Sequence, residues 1–254
     1  MKRLAVCISI TIAASGGGAI AACGGSSKQA ETTPEPVDQP DDDQLPEDND
    51  PSEYDDGVQI SGQRGVLEPG DIEPVIKQHS TRLSDCFSEN TRKLPYVGGQ
   101  VELKFRVNRD GTVKLVQASR GDLGAWPVER CLLGVSREMS FPRPKGNGEA
   151  EFSFPIDFPS RSSPTADTNG LSTELAKKVS DLAACDEAVG GTPGSVTIIV
   201  YVGVKGAVKS AGFTTTEDAP FPDEWADCAM AKALEWKLTD PRGKVVKASG
   251  TYPQ

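Results

Sequence analysis

Four of the six cysteines fall in two widely spaced pairs, Cys86 with Cys131 at 45 positions and Cys185 with Cys228 at 43, and each pair spans the same succession of features. The chain therefore carries a duplicated unit of roughly 80 residues. Each cysteine occupies its place twice, one near the end of a first helix and one in the first half of a second.

In 70–90, Ile72, Val75, Ile76, Leu83, Cys86 and Phe87 recur on one helical face. Beyond Pro95 and Gly98-Gly99, the stretch 101–107 (VELKFRV) alternates apolar and polar with period two, as a half-buried strand does. Asn108, Asp110 and Gly111 suit a tight hairpin that returns over 112–117. A second helix puts Val128, Cys131, Leu132, Val135 and Met139 inward, stops before Pro142 and Pro144, and leads to a strand at 151–156. The second unit repeats the order: helix 171–189 with Leu175, Val179, Leu182 and Cys185 inward, strand 196–202, a turn at Lys205-Gly206, strand 208–213, helix 224–238 with Trp225, Cys228, Ala229 and Trp236 inward, and strand 245–252. The expected fold class is α+β: two tandem α-β-β-α-β units, each a small antiparallel sheet packed on two helices.

The first residues indicate a compartment. Lys2-Arg3 precede an apolar core over 4–14, and Ile20-Ala21-Ala22-Cys23 is a small-residue cleavage site ending in cysteine. That tetrapeptide resembles the lipobox of bacterial lipoproteins, in which the cysteine becomes acylated. The apolar run falls short of the ~20 residues a membrane span needs, and Gly16, Gly17 and Gly18 interrupt it. With Cys7 lost with the signal and Cys23 lipidated, four cysteines are left for two bridges in an oxidising compartment. Pairing within each unit, Cys86–Cys131 and Cys185–Cys228, is favoured because the repeat supplies both partners at equivalent sites. A zinc site of four thiolates is the alternative, but no two of them have the short spacing of a zinc knuckle.

Residues 28–56 are rich in Pro, Asp and Glu and nearly devoid of apolar side chains, as in a disordered tether. Twelve acids against Lys28 give −11 over 24–60, and loss of Lys2 and Arg3 takes the chain from −10 to −12, so the folded part carries about −1. The acidic balance thus belongs to the tether, and a near-neutral folded part disfavours nucleic acid as a partner. The Asp41-Asp42-Asp43 run lacks the glycine and distal glutamate of a calcium loop.

Catalytic constellations are scarce. His79 is the only histidine, with Ser80 and Ser84 near it but in no nucleophile elbow. Gly98-Gly99 and Gly190-Gly191 lie between a helix and a strand, the reverse of a phosphate cradle. Trp126, Trp225 and Trp236 lie on or beside helical faces and read as packing residues, with sugar stacking as the second reading. An enzyme would need perturbed acids converging around Glu129 or Asp157.

Asp71-Ile72-x2-Val75-Ile76-x2-His79, Cys86, Leu94-Pro95, Gly99-x-Val101-x3-Phe105-x-Val107-x3-Gly111-x-Val113, Val128-Glu129-x-Cys131 and Phe141-Pro142-x-Pro144 together resemble the C-terminal domain of myxobacterial adventurous-gliding-motility proteins of the AgmX/PglI type. That family is in turn similar to the TonB C-terminal domain. The resemblance covers about 67–158; the second unit keeps the architecture and the cysteines but lacks the Leu-Pro, the histidine and the Phe-Pro-x-Pro. It implies an envelope protein acting as a binding or assembly module and carries over no catalytic residue.

The expected organisation is a signal peptide (1–22), a lipidated N-terminus and acidic tether (23–66), the first unit (67–158), a hinge (159–170) with few apolar residues to couple the units, and a second unit (171–254). The expected function is that of a non-enzymatic, lipid-anchored periplasmic adaptor, with an envelope-spanning or motility assembly as a setting and the outer membrane favoured over the inner. A glycan-binding cell-wall lipoprotein is the alternative. No cofactor is expected. Partners are expected to be envelope proteins or peptides adding as a strand to the last strand of the second unit, at Val245, Val246, Lys247 and Ala248, where no proline guards the edge until Pro253.

Overall fold

The computed structural model describes residues 65–146, 148–167, 170–191 and 193–253. The expected signal peptide, Cys23 and all of the acidic tether before Gly65 lie outside the described residues. The fold is α+β, with two antiparallel three-stranded sheets, and both repeats lie in the compact unit Gly57–Gln254.

In the first repeat, α1 spans Pro69–Asn90, opening on a reciprocal cap between Glu68 and Asp71 with proline in the first turn, where its missing N–H costs nothing. Thr91 closes it, its hydroxyl donating to the Phe87 carbonyl at 2.8 Å. Strands β1 (Gly99–Val107) and β2 (Val113–Gly121) form the hairpin, α2 follows over Trp126–Arg137, and β3 spans Ala150–Phe158. The sheet order is β2-β1-β3. Val101, Leu103, Phe105 and Val107 are buried on the helix side of β1, while Glu102, Lys104 and Arg106 line the other face, as the alternation dictates. On the outer strand β3, Phe152, Phe154 and Ile156 pair with Phe105, Leu103 and Val101, share their face, and are only half-buried.

The second repeat has α3 (Leu171–Lys178), a 3₁₀ turn at Val179–Leu182 and α4 (Ala183–Val189), so its first helix is interrupted where the sequence predicts one continuous helix. Then come β4 (Val196–Val202), β5 (Val208–Thr214), α5 (Asp223–Glu235) and β6 (Val246–Tyr252), with sheet order β5-β4-β6. At the β4–β5 turn Gly206 has a φ of +68°, and a Cβ there would lie 1.6 Å from the Leu238 carbonyl oxygen, so only glycine fits.

The two repeats are not separate bodies on a loose hinge. One apolar core runs through both. On β4, Val196, Ile198, Val200 and Val202 face the second unit's own helices, yet Ile199 and Tyr201 on the opposite face are buried as well, because the first unit covers them. The Tyr201 hydroxyl donates to the Gly98 carbonyl at 2.8 Å and accepts from the Gly98 N–H at 3.2 Å, and its ring lies 5.4 Å from that of Tyr96. Gly124 packs so closely against Ile199 that an added Cβ would sit 2.7 Å from its Cγ2. Trp126 of α2 meets Phe213 and Phe221 of the second unit edge-on or tilted. Arg137 of α2 makes a two-pronged pair with Asp223 of α5, both bonds at 2.8 Å, and Lys247 reaches Asp122 at 2.9 Å. The weak coupling expected from the composition of 159–170 is therefore corrected: the coupling runs through the sheet face of β4, not through the linker. The linker is itself strapped down, Arg161 donating to the Thr91 and Arg92 carbonyls and Ser162 N–H to Pro95.

Candidate functional site

Both bridges join the helices of their own repeat. Cys86–Cys131 ties α1 to α2 with Cα atoms 5.5 Å apart, and Cys185–Cys228 ties α4 to α5 at 5.7 Å. The pairing predicted from the repeat is the one in the structure, and the four-thiolate zinc alternative is excluded because every one of these sulfurs is in a bridge.

The most unusual group at the seam is Glu129. It projects from the first turn of α2 and is 1% exposed. One oxygen accepts from the Ala125 N–H at 3.2 Å and the other from the Phe213 N–H of β5 at 2.8 Å. The Phe213 amide belongs to the edge of β5 that faces away from β4; one step along the same edge, the Thr215 N–H donates to the Ala118 carbonyl of β2 at 2.9 Å. The carboxylate and β2 together therefore close an edge that would otherwise present bare backbone. Burial raises the Glu129 pKa to about 7, against an opposing pull from the Phe213, Ala125 and Gly124 amides. The fit is close, since a Cβ on Gly212 would lie 2.2 Å from the carboxylate and 2.4 Å from the Ala125 nitrogen.

The β6 edge predicted for peptide capture is partly occupied by the protein itself. The Val245 carbonyl accepts from Thr165 N–H at 2.8 Å, and Ser249 N–H donates to the Ser172 hydroxyl at 3.2 Å. Because 245 and 249 point away from β4, strand alternation turns the backbone groups of Val246 and Ala248 toward β4, where they pair with Val202 and Val200. Lys247 sends its ammonium to the Gly98 carbonyl and Asp122, across the seam. Of the four residues singled out there, Val246 and Ala248 build the sheet, and Val245 and Lys247 face the edge.

Other sequence candidates scatter. His79 donates its Nδ1–H to the Val75 carbonyl one helical turn back at 2.9 Å, and Ser80 donates to the Lys77 carbonyl at 2.8 Å. Asp157 accepts from Gln100 on β1 at 3.2 Å, away from the partners of Glu129, so the two acids do not converge on one set of groups. Trp126, Trp225 and Trp236 are 1%, 0% and 4% exposed, and none presents a ring face to a sugar. The first two donate their indole N–H to Asp227 and Asp186, each at 2.8 Å. Asp186 also accepts from the Tyr252 hydroxyl at 2.5 Å; burial, with that carboxylate beside it, pushes the phenol up to about 12. A shallow cleft of about 510 Å³ lies between the 3₁₀ turn and the end of α5, lined by Lys178, Asp181, Lys232, Glu235, Trp236 and Lys237. Among the described residues no group of His, Cys, Asp and Glu is arranged to hold a metal ion, and no helix is long and apolar enough to cross a membrane.

One signal in the sequence pointed to the seam. The run Ile198-Ile-Val-Tyr-Val202 is continuously apolar, as a strand buried on both faces is, whereas its counterpart in β1 alternates. In α2, Glu129, Leu133 and Ser136 are buried in addition to the Val128, Leu132 and Val135 face, so the helix has a second packed side. No family model, curated protein or solved structure matches the chain.

Proposed function

We propose that the protein is a lipid-anchored adaptor of the bacterial envelope, held by an acylated Cys23 on an acidic tether, whose fused pair of α+β units binds envelope proteins or peptides in the periplasm. The observation that carries this reading is the disposal of the cysteines: Cys23 stands at the cleavage position of a lipobox-like Ile20-Ala21-Ala22-Cys23, and the four that follow are all bridged, as an oxidising compartment requires. The resemblance of 67–158 to the AgmX/PglI and TonB C-terminal domains favours an assembly role over catalysis.

The anchoring is tested by phase partitioning. The wild-type chain should enter the detergent phase and Cys23→Ala should stay in the aqueous phase; equal partitioning of the two at equal yield overturns the lipoprotein reading. Partner binding by strand addition at β6 requires the outward amides of that strand. Proline at Val246 or Ala248 would break the ladder to β4, so the informative change is Ser249→Pro, which removes an outward N–H that a partner strand would have to take over from the Ser172 hydroxyl. Pull-downs from solubilised envelopes should lose at least about 10-fold of the captured protein with Ser249→Pro while the fold stays intact, the equivalent of roughly 1.4 kcal/mol. Undiminished capture would move the binding surface away from β6.

A further inference from the structure

Among the described residues the half-buried lysine and arginine side chains are Lys104, Arg106, Lys178, Lys232 and Lys247. Three of them have an acid at hand: Lys104 lies 2.9 Å from Asp218, Arg106 2.7 Å from Glu151 and Lys247 2.9 Å from Asp122. Lys178 and Lys232 have none, and within the described chain neither makes a hydrogen bond through its ammonium group. Both line the same cleft, the space of about 510 Å³ between the 3₁₀ turn and the end of α5, and the exposed Lys237 lines it with them. A partly buried charge without a counter-charge costs free energy, so two of them at one cleft mark a place where an anion is stabilising.

The helices account for part of this arrangement. A lysine in the last turn of a helix answers the partial negative charge at its C-terminus, and Lys232 does so on α5. The same reason fails for Lys178, because α3 does not come to a free end there: Val179 keeps helical angles, and the chain runs on through the 3₁₀ turn into α4. The acids of the cleft leave the lysines unanswered as well. Asp181 stands three residues after Lys178, and Glu235 three after Lys232, the spacing at which neighbours on a helix pair, yet neither couple closes to an ion pair.

We propose that this cleft binds a phosphate monoester of a sugar or other polyol, with the ammonium groups of Lys178, Lys232 and Lys237 on the phosphate and the carboxylates of Asp181 and Glu235 on its hydroxyls. The kind of cation points to phosphate. A planar carboxylate is best met by the fork of an arginine, whereas lysines act as point charges that can gather around one compact dianion, and the cleft has three lysines and no arginine. The two acids repel a bare anion but accept hydrogen bonds from hydroxyl groups, so the ligand that suits the whole cleft carries donors beside its charge. The volume lies within the ~300–1,000 Å³ of small-molecule sites, and the nearly buried Trp236 gives the cleft an apolar wall. The assignment does not rest on the adaptor reading, since strand capture at β6 uses backbone amides and this cleft uses side chains.

Titration of the full-length chain, followed by amide NMR, tests the site. Glycerol phosphate should shift the amides of 178–181 and 232–237 saturably, and glycerol should shift none of them. Inorganic phosphate, which lacks the hydroxyls, should need a concentration at least about 10-fold higher. Lys178→Gln with Lys232→Gln should weaken glycerol phosphate binding by at least about 10-fold with the rest of the spectrum unchanged, whereas Lys209→Gln, at an exposed lysine outside the cleft, should leave it as it is. Sedimentation with phosphatidylcholine vesicles carrying a phosphoinositide with a monoester on its ring separates the sources of such a group. Retention that the double variant loses identifies a lipid headgroup, and no retention by a chain that binds glycerol phosphate identifies a soluble or glycan-borne ester. Absence of a saturable shift up to about 30 mM glycerol phosphate, or undiminished binding by the double variant, overturns the site. Equal affinity for inorganic phosphate overturns the polyol.

Discussion

Replacing Glu129 with glutamine should destabilise the protein by about 1–3 kcal/mol, because one of two acceptor oxygens becomes an NH₂ group aimed at a backbone donor. The single amide oxygen can accept from only one of the two donors, Ala125 N–H at the start of α2 or Phe213 N–H across the seam, so one of these buried hydrogen bonds is lost. The substitution should also remove a pH dependence. In the folded protein burial raises the carboxyl to about 7 from its ordinary value of 4.5. The folded state therefore binds more protons than the unfolded state between those two pH values, and stability falls as pH rises through that window, by about 3 kcal/mol in total, and is flat in this contribution above it. Urea midpoints of wild type and Glu129→Gln at pH 4.5 and 7.5 decide the matter. The wild type should lose stability from the first pH to the second by more than the variant does. Parallel pH profiles would show that the group is already ionised throughout the window, held by its amide donors.

Removing the second bridge with Cys185→Ala and Cys228→Ala should unfold both repeats together. The chain-entropy cost of opening a loop of this size is roughly 4 kcal/mol, about three decades in the folding equilibrium. The sequence alone places that loss in the second unit. The structure distributes it, because Ile199, Tyr201, Phe213 and Phe221 are shared with Gly98, Gly124 and Trp126 of the first unit, and unfolding the second would strip the first of that cover. Amide exchange should thus speed up by similar factors in β1 and β4 of the variant. If β1 keeps its wild-type protection while β4 loses it, the seam is too weak to couple them and the repeats are independent domains.

Local rules made the repeats themselves readable. The strand over 196–202 has the limits the sequence predicts, and the hairpin at Asn108–Gly111 closes as Asp110 and Gly111 require, with the Asp110 carboxylate accepting from Thr112 N–H at 2.9 Å. Element ends moved by a few residues where a tertiary partner extends or cuts them: β2 continues to Gly121 because Arg120 and Gly121 pair with Glu102 and Val101, and α5 stops at Glu235, short of Leu238, whose N–H instead donates to the Gly206 carbonyl at 2.9 Å. The interruption at Val179–Leu182 was not legible, since the apolar spacing there fits a continuous helix equally well.

Aligning the repeats on their bridges puts Ala226 where the first has Glu129, and aligning the middle strands puts Ile199 and Tyr201 where the first has Lys104 and Arg106. These are the substitutions that make one unit fit on the other. Taken by itself, the sequence determined the two α-β-β-α-β units and the partners of all four bridged cysteines, because periodicity, turn residues and a repeated spacing act within short stretches of chain. The seam was decided by tertiary structure. The apolar run Ile198–Val202 calls for cover on both faces of β4 but does not say what supplies it, and whether a lone glutamate on α2 is solvated or closes the edge of a strand 84 positions away depends on which surfaces meet once each unit has formed.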